Sequence, residues 1–202
     1  MNGKAVFLLA LAAAAPAFSQ SAAVVRSNSF EVGGFIGSSY GIDEFRVMGG
    51  ANLTYALNKY ILPYGEFSYF PGIGRVQKGV FQGTGRPFTL SYSVPLTDFH
   101  GGVHIRIPIK ESKFVPYGVV GFGVLSSFDR TVKAQFQDAS GTNIRDLQVS
   151  GSTDYATNFG GGIRYYINNR FGIRAEAKAY KPTGAFTDLF GKVEFGFFLQ
   201  LR

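Results

Sequence analysis

GGGIRYYINNRFGIRAEAKAY, residues 160–180, is the stretch whose reading decides the fold. Beyond the polar reversal at Asn168-Asn169-Arg170, the residues Phe171, Ile173, Ala175, Ala177 and Ala179 alternate with Arg174, Glu176, Lys178 and Tyr180. Successive side chains of a strand point to opposite sides, so one face is apolar and the other charged. Before the reversal, Ile163, Tyr165 and Ile167 oppose Arg164 and Tyr166 in the same way. Two alternating runs around a short Asn-rich turn make a β-hairpin. The unit recurs as GGANLTYALNKYILPYGEFSYF at 49–70, turning at Asn58-Lys59, and as GGVHIRIPIKESKFVPYGVVGFGV at 101–124, turning at 110–113. The inserts between hairpins vary in length, which excludes a solenoid of constant period.

An N-terminal strand at 30–38 and a C-terminal strand at 190–201 bring the total to eight. In the last strand, Val193, Phe195, Phe197, Leu199 and Leu201 stand against Lys192, Glu194, Gly196, Phe198 and Gln200. Three short turns fall at one end, and connections over 39–44, 71–95, 127–156 and 182–189 at the other. The predicted fold is all-β, an eight-stranded antiparallel up-and-down barrel. Even strand number, short turns at one end and long loops at the other match the layout of a transmembrane barrel. Within the long connections, β-prone residues flank Gly83-Thr84-Gly85 and Asp138-Ala139-Ser140-Gly141. The strands at 75–82 and 87–94, and at 131–137 and 144–150, are therefore expected to continue past the membrane as protruding hairpins.

Composition narrows the classes. The chain has 202 residues, 27 glycines, 21 phenylalanines, 11 tyrosines, no cysteine and a net charge of +7. Without cysteine there is no disulfide framework, thiolate metal site or lipidated N-terminal cysteine. Lys4, an apolar run to Ala15, Pro16 and the small residues Ala17 and Ser19 form a secretory signal pattern. Residues 1–19 are read as the signal peptide, cleaved before Gln20 with cleavage before Phe18 as the alternative, and 20–202 as the barrel domain. No later apolar stretch reaches helical spanning length without Gly, Pro or charge, so a membrane span must be β.

Alternation alone does not distinguish lipid outside from ligand inside, and a soluble lipocalin-like barrel stays open as the rival. Three features favour lipid outside. Both signs occur on the charged faces of adjacent strands, as pairing in a narrow lumen requires. Tyr55, Tyr60, Phe67, Tyr69, Phe114, Tyr117, Tyr165, Phe171, Phe195 and Phe197 fall near strand ends, where interfacial girdles belong. Gly50, Gly102 and Gly162 sit on the polar face, where they relieve crowding. The expected lumen network is Arg46, Glu66, His104, Arg106, Arg164, Arg174, Glu176, Lys178, Lys192 and Glu194.

With this architecture and its last strand, nearly the whole chain from Phe30 to Leu201 resembles the small outer-membrane barrels of the OmpA-transmembrane and OmpX type, the outer membrane protein beta-barrel domain family. Glu194, Gly196, Leu199 and Leu201 fit that family's C-terminal insertion signal, which implies recognition by the barrel-assembly machinery. The chain departs from the pattern by ending on Leu201-Arg202 rather than Phe or Trp. The resemblance implies a plugged lumen in a bacterial outer membrane, contact with its lipid and lipopolysaccharide, and a role as anchor, adhesin, receptor or, occasionally, enzyme.

Catalytic and metal chemistry find little support. His100 and His104 lie about 13 Å apart on a strand, too far to share one ion. Asp98 and His100 share a face about 7 Å apart, and a triad would need a serine such as Ser91 or Ser93 beside them. The glycine clusters lack the phosphate-loop form and a following helix. No catalytic, metal or cofactor site is therefore expected. Arg75, Lys78, Arg86, Arg130, Lys133 and Arg145 in the long connections are candidates for an extracellular protein or polyanion. Export makes nucleic acid an unsuitable partner. The expected role is structural or surface-interacting, with a narrow porin-like channel as the alternative and a lipid-modifying enzyme behind it. Fractionation of expressing cells should place the protein in the outer membrane with heat-modifiable mobility on unboiled gels. Recovery as a soluble periplasmic protein would invert the inside–outside assignment.

Overall fold

The computed structural model describes residues 25–40, 46–80, 82, 85–184 and 189–201; the side chains of Arg46, Arg75 and Arg145 are outside that description, as is the signal segment 1–19. Its ten strands are β1 (Ser29–Tyr40), β2 (Arg46–Ala56), β3 (Ile61–Val80), β4 (Pro87–Arg106), β5 (Phe114–Ser127), β6 (Arg130–Asp138), β7 (Gly141–Val149), β8 (Ser152–Tyr166), β9 (Phe171–Pro182) and β10 (Phe190–Leu201). All neighbours are antiparallel. The order β3-β2-β1-β10-β9-β8-β5-β4 closes through β3–β4, so eight strands form a barrel. β6 and β7 extend it at the long-loop end, with β6 paired to β4 over Thr89↔Gln137 to Ser91↔Gln135.

The short turns follow local hydrogen bonding. Asn58 Oδ1 accepts from the backbone N–H groups of Tyr60 (2.7 Å) and Ile61 (2.9 Å). Asn168 Oδ1 does the same for Arg170 (2.8 Å) and Phe171 (2.9 Å). An Asn side chain thus replaces the missing ladder partner at both reversals.

The two longest expected connections are mostly strand. β3 and β4 run on as 20-residue strands to Val80 and from Pro87, so the connection placed at 71–95 shrinks to 81–86. A bulge between Phe70 and Ile73, at Pro71-Gly72, marks the change of register between the barrel and its extension. β6 and β7 occupy most of the connection placed at 127–156 and turn at Asp138, whose Oδ1 accepts from Ser140 N–H at 2.7 Å. Upper β3, upper β4, β6 and β7 make one four-stranded sheet standing on the barrel.

Burial settles which face is inside. Glu66, Asp98, His100, His104, Arg106 and Arg164 are all buried, whereas Ile36, Val47, Phe99, Val120 and Phe195 are exposed on the outer face. An apolar exterior this continuous suits lipid, and the buried charges remove the soluble, apolar-cavity alternative. One member of the expected aromatic girdle moves inside: Tyr117 is buried, because β5 is apolar on both faces and only its register with β8 selects the inner one. Gly102 shows why glycine is needed inward. A Cβ there would lie 2.2 Å from Val120 O and 2.9 Å from the Tyr64 ring, whereas a Cβ at Gly65 would meet nothing within 4 Å. Gly102→Val should therefore destabilise the barrel by about 1–3 kcal/mol, the usual cost of overpacking. Gly65→Val should leave the unfolding midpoint in urea, measured in detergent, unchanged.

Candidate functional site

The lumen is built in three layers. At the long-loop end Phe35, Met48, Phe70, Leu96, Leu125, Ala156, Tyr180 and Phe190 form a buried apolar layer. At the short-turn end Val115, Tyr166 and Phe198 form another, with Val25 of the N-terminal segment packed against it. Between them, and reaching beside the lower cluster to the short-turn rim, lies an ionic layer contributed by strands around the barrel.

The register of that layer is unusual. β9 and β10 set Glu176 opposite Glu194 and Lys178 opposite Lys192, and β8 and β9 set Arg164 opposite Arg174. Like charges directly opposite repel. The pairs therefore form diagonally, along one strand and across the lumen. Arg174 reaches Glu194 at 2.6 Å, and Lys178 reaches Glu176 at 2.6 Å. From the facing wall, Glu66 of β3 accepts from Lys178 (2.6 Å), Lys192 (2.5 Å) and Arg174 (3.2 Å). One carboxylate thus bridges three cations.

Toward the short-turn end, Glu31 pairs with Arg164 and lies 3.6 Å from Arg106. Arg106 donates to the carbonyls of Asn58 (2.7 Å) and Arg26 (3.3 Å) and to the Tyr166 hydroxyl (3.0 Å). Arg164 donates to His104 Nδ1 at 3.0 Å, and the His104 ring stacks on Tyr64 at 4.4 Å. Tyr117 donates to Glu176 at 2.5 Å. These contacts gather Glu66, His104, Arg106, Arg164, Arg174, Glu176, Lys178, Lys192 and Glu194. Glu31, Tyr64, Tyr166 and Asn158, whose Oδ1 accepts from the Tyr64 hydroxyl at 3.0 Å, join them without having been singled out in the sequence. Glu31 had a visible signal, since it shares parity with Gly33 and Phe35 opposite the lipid-facing Phe30, Val32 and Ile36.

Among the described residues, the groups considered for a triad are not all brought together. His100 Nδ1 contacts Asp98, and its Nε2 lies 3.1 Å from the Ala156 carbonyl. Both ring nitrogens are therefore occupied. Ser91 and Ser93 have the opposite parity on β4 and face away from Asp98 and His100. Carboxylate oxygens of Glu66, Glu176 and Glu194 come within 4.8 Å of one another. Lys178, Lys192 and Arg174 already fill the coordination space around them.

The loop cations with described side chains do not form one patch. Lys78 and Lys133 share the outer face of the protruding sheet, where Lys133 stands opposite Asp146. Arg130 has the opposite parity and lines a cavity of about 340 Å³ at the hairpin base with Asp129, Gln148 and Ser150. Arg86 is exposed near the β3–β4 tip. In the last strand, Glu194 belongs to the ionic layer, Gly196 packs on Phe35, and Leu199 and Leu201 face outward.

Removing one partner of a buried ionic set strands the others in a poor dielectric, at a cost of about 3–5 kcal/mol. Glu66→Leu should lose about that much stability in equilibrium unfolding and lower the temperature of the folded-to-unfolded gel shift. Glu66→Gln, which keeps the shape without the charge, should fall between it and the parent.

The geometry agrees with comparison to known proteins. The outer membrane protein beta-barrel domain family matches residues 5–182. The N-terminal β-barrel domain of OprF from Pseudomonas aeruginosa is similar in fold at 12% identity and a TM-score of 0.52, covering 87% of this chain and 98% of that one. Neisserial surface protein A is similar at 10% identity and a TM-score of 0.53, covering 86% and 96%. At these identities the likeness concerns the fold. No curated protein matches the chain in sequence. With a closed antiparallel barrel, a lipid-facing exterior and a family match spanning most of its length, the chain belongs to the outer membrane protein beta-barrel domain family.

Proposed function

We propose that the protein is a non-conducting outer-membrane anchor that presents its four-stranded extension to a partner outside the cell. The observation that carries this reading is the closed lumen. An eight-stranded barrel has room only for its own side chains, and here a buried apolar layer at the long-loop end and a buried ionic network that reaches the short-turn rim fill it. A hydrated path would have to cross the apolar layer and displace the paired charges below it. That argues against the porin-like alternative, and the occupied nitrogens of His100 argue against lipid hydrolysis.

The extension supplies what the barrel lacks. Two of its strands, β3 and β4, continue from the barrel, so the sheet is seated on the long-loop end. Among the described residues, β7 pairs only with β6, and β3 beyond Ile73 pairs only with β4. Both outer edges therefore offer free backbone groups for strand addition by a partner. Lys78, Arg86 and Lys133 favour an acidic protein segment or another polyanion at this surface. For assembly, Glu194, Gly196, Leu199 and Leu201 are assigned to recognition by the barrel-assembly machinery. The segment 1–19 is assigned to export, with cleavage before Gln20.

Two measurements test this function. Deleting residues 133–145 should leave insertion and heat-modifiable mobility intact and abolish adherence of expressing cells to host cells or matrix. Unchanged adherence would overturn the role of the extension. The purified barrel in planar bilayers should give no resolved conductance steps; reproducible steps lost on Glu66 substitution would favour the channel.

A further inference from the structure

The short-turn rim carries a charge pattern that neither the lumen nor the extension uses. Among the described residues, the N-terminal segment and the three turns hold Arg26, Lys59, Lys110, Lys113 and Arg170 against one carboxylate, Glu111, which lies 4.0 Å from Lys110. Above this rim runs an outward aromatic tier, with ring pairs Phe30–Tyr55 at 4.8 Å, Phe114–Tyr165 at 4.6 Å and Phe171–Phe197 at 6.1 Å. Lys59 Nζ lies 4.9 Å from the Tyr60 ring centroid. Aromatic rings at headgroup depth with cations just beyond them place this end in the interface of the inner leaflet.

At one position the pattern becomes a built cleft. Arg26, Arg170, Leu199, Gln200 and Leu201 line a cavity of about 320 Å³. Both arginines are held there by their backbones. The Arg170 carbonyl accepts from Gln200 N–H at 2.7 Å, and the Arg26 carbonyl accepts from the Arg106 guanidinium at 3.3 Å. Neither has a carboxylate within ion-pair distance among the described residues. Leu199 and Leu201 are 38% and 43% exposed on the lipid-facing side of β10. Two guanidinium groups at the polar edge of an apolar wall match one class of ligand. Their planar donors fit a phosphodiester, and the leucines fit the first carbons of acyl chains.

We propose that this cleft binds the headgroup of an anionic glycerophospholipid from the inner leaflet of the outer membrane. A free phosphate would leave the leucines without a partner, and a zwitterionic lipid would bring a second cation toward two arginines. The site differs from the extracellular surface in place and chemistry, so a loop deletion does not touch it.

The test is native mass spectrometry of the refolded, full barrel in detergent, titrated with palmitoyl-oleoyl phosphatidylglycerol or its phosphatidylcholine counterpart. The parent should retain phosphatidylglycerol in preference to phosphatidylcholine by about thirtyfold, from the attraction of each basic residue to anionic lipid. Arg26→Gln/Arg170→Gln should erase that preference while keeping the gel shift. Arg170→Gln alone changes only an exposed turn side chain; it should remove a large part of the preference and serves if the double variant fails to fold. Lys59→Gln/Lys110→Gln should retain it. Equal retention of the two lipids, equal loss from the Lys59 and Lys110 pair, or displacement by inorganic phosphate at matched concentration would each overturn the site.

Discussion

Glu66 is the constraint on which the rest of the barrel depends. The wall made by β8, β9 and β10 carries Arg164, Arg174, Lys178 and Lys192 beside Glu176 and Glu194, and its register puts like charge beside like. Such a wall cannot be buried alone. Closing the sheet brings Glu66 from β3 against Lys178, Lys192 and Arg174, and Glu31 from β1 against Arg164 and Arg106. Barrel closure and charge neutralisation are therefore one event. An open sheet would expose free edges and leave three cations without their shared acceptor, so partly closed forms are penalised twice.

The ionic layer also explains the glycines and aromatics around it. Long charged side chains fill the middle of a narrow lumen only if other wall positions yield space, and Gly102 yields it to Tyr64. The rings then cover the cations: Arg164 lies 5.2 Å from the Tyr117 centroid, and Lys192 lies 5.0 Å from Phe35. Cation–ring contacts recover part of the hydration the charges give up. The apolar layer at the long-loop end and the rings of Tyr166 and Phe198 at the other exclude water that would otherwise screen the pairs. Stability is thus concentrated in the barrel, and the surfaces at its two ends are free to carry interactions.

Much of this was legible in the sequence. Arg174-Ala175-Glu176-Ala177-Lys178 shows its two faces without any structure, and Asn58 and Asn168 mark their turns through local hydrogen bonds. The protruding hairpin is readable at Asp138-Ala139-Ser140-Gly141 for the same reason. Tyr117 was not legible: β5 is apolar on both sides, so alternation is silent. The spread of Lys78, Lys133 and Arg130 over opposite faces was equally hidden, because a shared face depends on how β6 docks on β4.

By itself the sequence determined the strands, their two faces, their turns and the end of the barrel that carries the long hairpins. All of these follow from a period of two and from bonds spanning a few residues. The tertiary structure alone decided the partners of each charge. Glu66 lies 112 and 126 residues from Lys178 and Lys192, and no local pattern links them. Period two places both signs on the inner face, but neighbouring strands set like opposite like. Only closure of the sheet into a narrow ring brings the compensating carboxylate across the lumen.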